Sequence, residues 1–194
     1  MSGVTVGARW AGGAEADAVD ALVRAAQADP SRFAALYRRY VGPVHRYVFQ
    51  RVRDRDEAED ITAQAFADAL AALPRYRERG EFAAWLFRIV RRRCADHFRR
   101  RPPQALGDRD VAFDPFGGLE AEIDRGALGR ELRRLVDRLD PDKQELLNLR
   151  FAAGLTYPEI AAVLDRQPAA VKMAIHRLLD QMAEELEADH VHAH

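Results

Sequence analysis

The sequence predicts an all-α fold: two small helical domains joined by a flexible acidic linker, the C-terminal one a helix-turn-helix. Three observations predict it. Apolar residues recur at spacings of three and four along most of the chain, the period of a helix with one buried face. That periodicity lapses once, over residues 102–119 (RPPQALGDRDVAFDPFGGLE and its flanks), where Pro and Gly gather. After the lapse comes LTYPEIAAVLDRQPAAVKMAIHRLL, a short capped helix, a brief turn and a second helix opened by Pro168. The expected division is a tail over 1–17, a helical domain over 18–101, a linker over 102–119, a second helical domain over 120–187 and a tail over 188–194.

Residues 1 to about 16 are small, Gly-rich and aperiodic, and predict a mobile tail. A first helix follows, with Val19, Leu22, Val23 and Ala26 on one stripe and a stop at Asp29 and Pro30. Phe33, Leu36, Tyr37 and Tyr40 continue the pattern. Gly42 and Pro43 predict a break or kink, after which Val44, Tyr47, Val48 and Val52 resume it. Asp54 or Asp56 caps the next helix, with acids in its first turn where the helix dipole favours them. Ile61, Ala65, Ala69, Leu70 and Leu73 are its expected core face. Glu57, Asp60, Gln64 and Asp68 line its opposite face, and Pro74 closes it.

Residues 75–80, RYRERG, read as a basic loop too polar for the core. The helix beyond it carries Phe82, Trp85, Leu86, Ile89, Val90 and Cys94 on one side, and Arg88, Arg91, Arg92 and Arg99 on the other. Residues 75–101 hold ten arginines against three acids, while the whole chain has a formal net charge of −1. Cations are therefore concentrated here, and an arginine stripe on the outside of a core helix can lie along a phosphate backbone. A solvated helix face is the plainer reading of the same charges. Trp85, between Phe82 and Ile89, reads as core packing rather than a strand-melting wedge. From residue 108 to 124 there are six acids and one arginine, so the linker is acidic directly after the most basic segment.

In the second domain Leu128, Leu132, Leu135, Val136 and Leu139 form one helix. Pro141 opens the next, with Leu146, Leu147, Leu149 and Phe151 inward and a stop at Gly154. Thr156 with Glu159 makes a capping box, Ile160, Ala161 and Leu164 supply a core face, and residues 165–167 turn. The last helix turns Val171, Ile175 and Leu178 inward. Lys172, His176 and Arg177 face away from that stripe, with Arg166 and Gln167 at the helix entrance.

Composition excludes several classes. With 48% hydrophobic and 31% charged residues the chain reads as a soluble globular protein. One cysteine rules out an internal disulfide framework and a cysteine-cluster metal site, and Cys94 on an apolar face reads as a core residue. No phosphate loop, nucleophile elbow or His-Glu metal spacing occurs, so neither enzyme chemistry nor a metal or cofactor is expected. His190, His192 and His194 read as a frayed polar tail, and His45 and His97 as surface residues without an acid partner. Neither a signal peptide nor a membrane-length apolar run is visible, which predicts a cytoplasmic protein with no membrane insertion.

The order of elements resembles the extracytoplasmic-function (ECF) group of the sigma-70 family. EAEDITAQAF resembles the family's second conserved segment, EFAAWLFRIVRRRCADHFRR its promoter-opening segment, and LDPDKQELLNLRFAAGLTYPEIAAVL the start of its fourth region. The resemblance covers residues from about 19 to 187. It implies a transcription initiation factor whose partners are core RNA polymerase, promoter DNA and an anti-sigma factor. Glu57, Asp60, Gln64 and Asp68 would meet the polymerase clamp. Tyr76, Arg77 and Arg79 would hold a flipped base, Arg88, Arg91, Arg92 and Arg99 would follow the backbone, and the linker would thread the polymerase channel. Arg166, Gln167, Lys172, His176 and Arg177 would meet the upstream element. Ala63 stands where the family often has Gln, and Asp165 where it usually has Gly. Met173 and Ala174 can touch a thymine methyl but cannot make bidentate base contacts. The alternative from another class is a stand-alone helix-turn-helix repressor whose first domain dimerises or senses; a third is a helical interaction protein without nucleic acid.

Overall fold

The computed structural model describes residues 13–77, 80–100 and 127–192. Among these the fold is all-α, without a strand: α1 Gly13–Ala28, α2 Phe33–Val52, α3 Arg55–Ala72, α4 Phe82–Arg100, α5 Ala127–Arg138, α6 Pro141–Leu147, α7 Tyr157–Leu164 and α8 Pro168–His192. α1 begins at Gly13 and α8 runs through His192, so helix reaches into the stretches read as tails. The acidic linker lies outside the described residues.

Local chemistry sets the ends. Asp29 caps the 3₁₀ turn Pro30–Arg32 by accepting from the Ser31 N–H, and α2 follows without a gap. Pro43 does not end α2. A proline inside a helix costs roughly 3 kcal/mol or more. Leu36, Val44, Tyr47 and Val48 around it are fully buried, and each is worth about 1.5–3 kcal/mol. Burial wins over the lost hydrogen bond. Arg53 ends α2 in the left-handed region (φ 55°), donating to the Phe49 carbonyl, and Asp54 caps α3 by accepting from the Glu57 N–H at 3.0 Å. Asp140 caps α6 ahead of Pro141. A π-helical turn, Asn148–Ala152, carries the chain on to Gly154, whose φ of 73° suits a residue without a side chain.

The inward stripes are mostly those expected: Val19, Val23 and Ala26; Phe33, Leu36 and Tyr40; Ile61, Ala65, Ala69 and Leu73; Ile160 and Ala161; Val171, Ile175 and Leu178. Tyr37 and Leu70 are corrections, 43% and 39% exposed. Each lies at the edge of its stripe, and Tyr37 packs edge-on against Phe66 with ring centroids 4.8 Å apart. α4 is buried more broadly than its stripe predicts. Ala83, Ala84 and Phe87 are buried along with Phe82, Leu86, Val90 and Cys94, because α4 meets α7 as well as α2 and α3. One hydrophobic core therefore runs from α1 through α4 into α6 and α7, and a smaller cluster of Leu135, Val136, Leu147, Leu178 and Met182 joins α5, α6 and α8. Burial pushes the Cys94 thiol up to about 11, so it stays protonated in the core as its apolar stripe suggests.

Candidate nucleic-acid interface

The acidic helix comes first. On α3, Asp60 and Gln64 are exposed, with exposed Ala63 between them. Glu57 and Asp68 are turned toward α4 instead. Asp68 receives both Nε and one terminal nitrogen of Arg93, a bidentate pair that holds its carboxyl below the usual range. Glu57 lies 3.1 Å from His97 Nε2, so His97 has the acid partner its sequence context did not reveal. The stripe thus divides: its centre faces outward, while its two ends fasten α3 to the arginine helix.

The loop between α3 and α4 is anchored from α1. Gln27 Nε2 donates to the carbonyls of Leu73 and Tyr76, each at 2.9 Å, and the Gly80 N–H donates to Asp20 Oδ1 at 3.0 Å. Tyr76 belongs to the core, contrary to the polar reading of this loop. It is 6% exposed, and its ring packs against Trp85 at 4.9 Å and Phe82 at 5.8 Å. A ring so enclosed presents no face for base stacking in this conformation. Trp85, half-buried in that trio, packs as expected. Arg77 is exposed, its guanidinium resting on the carbonyls of Pro74 and Tyr76. Arg79 lies outside the described residues.

The arginines of α4 are not equivalent. Arg92 and Arg99 are exposed, Arg99 pairing with Asp96 one turn back. Arg88 is half-buried, 3.6 Å from Glu81. Arg91 turns into the molecule: its Nε donates to Glu145 Oε1 at 2.6 Å and another nitrogen to the Val163 carbonyl at 3.2 Å. Glu145, on α6, is 6% exposed and also receives the Tyr47 hydroxyl at 2.9 Å and an Arg51 nitrogen. Burial, and then the Glu145 charge, push the Tyr47 hydroxyl well above its ordinary range, so it serves as a neutral donor. Sequence reading missed this cluster. The available signal was Glu145 itself, an acid four residues before fully buried Leu149 and so on the apolar side of its helix.

The helix-turn-helix takes its expected form. Thr156 and Glu159 form the capping box, with the Thr156 N–H donating to Glu159 Oε2 at 2.7 Å. Asp165 ends α7 in the left-handed region (φ 54°), which Asp tolerates better than most residues, and the Arg166 N–H returns to the Ala161 carbonyl at 2.9 Å. Burying Val171, Ile175 and Leu178 leaves Lys172, His176 and Arg177 on the exposed side of α8. Gln167 is exposed at the entrance, and Arg166 pairs with Asp142 at 3.0 Å. His176 is held by Tyr157, whose hydroxyl lies 3.3 Å from its Nε2, and the Arg150 guanidinium lies 4.8 Å from the Tyr157 ring centre. Arg150 and Tyr157 thus support the exposed face from behind, which periodicity did not indicate. Met173, 51% exposed, adds an apolar surface beside Lys172.

Two exposed basic surfaces on separate helices, α4 and α8, fit the sequence comparisons. Residues 36–102 match the family described as Sigma-70 region 2, and residues 129–182 match Sigma-70, region 4. The chain is 34% identical over 173 residues to the ECF RNA polymerase sigma factor BldN of Streptomyces coelicolor, covering 87% of this chain and 66% of that relative. It is 33% identical over 136 residues to the ECF RNA polymerase sigma factor ShbA of Streptomyces griseus, covering 66% of this chain and 71% of that protein. In fold it is similar to CnrH, solved in complex with the cytosolic domain of CnrY, with a TM-score of 0.61, 24% identity and coverage of 87% and 96%. Both conserved regions in their proper order set aside the repressor and the plain interaction protein: the chain belongs to the ECF group of sigma-70 family RNA polymerase sigma factors.

Proposed function

We propose that this sigma factor docks on core RNA polymerase through the outward centre of α3, Asp60 and Gln64. With the polymerase it reads promoter DNA at two places and promotes strand opening at the start-proximal one. Glu57 and Asp68 contribute by fastening that surface to α4. Arg92 and Arg99, with Arg88 beside them, follow the backbone of the start-proximal element, and Arg77 and Arg79 supply donors to an unstacked base. α8 enters the major groove of the upstream element with Lys172 near its start, while His176, Arg177, Arg166 and Gln167 complete the contact. The linker threads the polymerase channel, and an anti-sigma factor is the further partner. The protein works in the cytoplasm as a binding factor with no catalytic step or cofactor of its own; no helix among the described residues is long and apolar enough to cross a membrane.

The observation that carries this reading is the helix-turn-helix itself, with its apolar stripe fully packed and its polar residues turned outward on the segment matched to region 4. The test is transcription in vitro with core polymerase and a promoter library. Polymerase-dependent transcripts from a defined pair of elements are expected. A chain that binds DNA tightly alone and adds nothing to core polymerase would overturn it.

A further inference from the structure

Four arginines of the N-terminal helices reach across to the C-terminal ones. Arg46 donates to the Ala152 carbonyl at 3.1 Å, Arg53 pairs with Asp137 at 2.8 Å, and Arg51 and Arg91 share Glu145. The Glu145 contact differs from the others in being buried, with a neutral hydroxyl from Tyr47 as its third donor. Such a contact is a poor stabiliser, since a buried ion pair can be replaced by apolar residues without loss. It is well suited to exchange, however. Its three donors sit on α2 and α4, which pack together independently of α6, so the cradle persists when Glu145 leaves. A guanidinium fork accepts phosphate in the same geometry as carboxylate.

We propose that Glu145 stands in for a DNA backbone phosphate. In the closed chain its carboxylate fills an anion site made by Arg51, Arg91 and the Tyr47 hydroxyl. Release of residues 127–192 opens that site to a phosphate of duplex DNA. Arg91 also donates to the Val163 carbonyl of α7 at 3.2 Å, so the closed chain keeps Arg91 off DNA. This rests on the DNA-binding role proposed above and adds to it an anion site and a self-occluding contact.

The test uses the full chain without polymerase. Glu145→Gln keeps the side-chain volume and removes the charge. Opening is read by energy transfer between labels on Ala67→Cys and Ala183→Cys, since the single native cysteine is buried. Binding is read by anisotropy of a short fluorescein-labelled duplex across a salt series. Glu145→Gln is expected to lower energy transfer. Wild type binding duplex in the closed form lacks that phosphate, so Glu145→Gln should tighten apparent affinity by about tenfold, the worth of one charge-assisted contact. The salt slope should steepen by roughly 0.9 for the phosphate gained. Adding Arg51→Gln should abolish the steeper slope while the chain stays open.

Unchanged energy transfer in Glu145→Gln would overturn the proposal. So would an open chain whose affinity and slope match wild type. Circular dichroism checks folding; if Glu145→Gln does not fold, Arg51→Gln alone is read instead, and must open the chain without steepening the slope. Failure to transcribe with core polymerase would count against the sigma-factor mechanism and leave these readouts standing.

Discussion

Replacing Tyr76 separates packing from base reading in the loop before α4. The ring is 6% exposed and touches Phe82 and Trp85, so Tyr76→Ala empties part of the aromatic cluster that seats the start of α4. Large aromatic-to-alanine changes in a core cost about 3–5 kcal/mol. For a chain of this size each kcal/mol shifts Tm by about 2–4 °C, giving a fall of roughly 6–20 °C. Tyr76→Phe keeps the ring and its contacts with Phe82 and Trp85, so it should melt far closer to wild type than Tyr76→Ala does. The assay is a thermal melt by circular dichroism, paired with transcription from a start-proximal promoter library well below the lower Tm. Both variants should retain the wild-type base preference, Tyr76→Ala at reduced yield. Arg77→Ala, exposed, should leave Tm within about 2 °C and alter preference at one position. Core packing of the ring is refuted if Tyr76→Ala melts with wild type and changes the preferred base, since the ring would then be working outside the core.

Four other outcomes are expected. Asp60→Arg, on the outward centre of α3, should cost no more than about 0.5 kcal/mol and weaken co-elution with core polymerase; unchanged co-elution of the folded variant removes this face from docking. The folded Asp68 carboxyl titrates below its unfolded value near 3.9, so the Arg93 pair stabilises the fold above about pH 4 and that contribution fades as pH falls through the lower folded value. The gap in Tm between wild type and Asp68→Asn should accordingly be present at pH 7 and narrow in acid, and a gap independent of pH would contradict it. Lys172→Ala should change which upstream elements are used, at about 1–3 kcal/mol per lost base contact. Arg177→Ala should weaken all of them alike and reduce the salt slope by roughly one; equal scaling by both variants would make α8 an anchor only.

Much of the architecture was legible because helix periodicity is a local property. Val171, Ile175 and Leu178 could be assigned inward without knowing what they pack against, and Thr156 with Glu159 forms its box within four residues. Lys172, His176 and Arg177 followed as the remainder of the same helix. What failed was long-range. Tyr76 sits in a run of arginines and glutamate, and only the fold shows Trp85 and Phe82 closing over it. Pro43 reads as a break or kink, and only the buried residues on both sides explain why α2 runs through it. Arg91 and Arg92 are neighbours in sequence with the same chemistry; a rotation of about 100° sends one into Glu145 and leaves the other in solvent. Charge counting along the chain cannot make that distinction.

The same distinction bears on what an arginine-rich helix can add to DNA affinity in a chain with a formal net charge of −1. Duplex affinity grows with the number of phosphates neutralised, each adding about 0.9 to the salt slope. On α4, Arg93 is committed to Asp68, Arg91 to Glu145 and His97 to Glu57, while Arg88 and Arg99 each have a carboxylate within 4 Å. Part of the cation excess written in residues 75–101 is therefore met within the protein, Arg91 and Arg93 by acids from outside that segment. With α3 docked as proposed, the pairs that fasten it to α4 would carry the position of the docked surface directly to the exposed arginines. Opening the Glu145 contact would add Arg51 and Arg91 to the surface that DNA meets. On the docking and opening proposed above, the factor would gain its DNA contacts when it is seated on its polymerase and opened there.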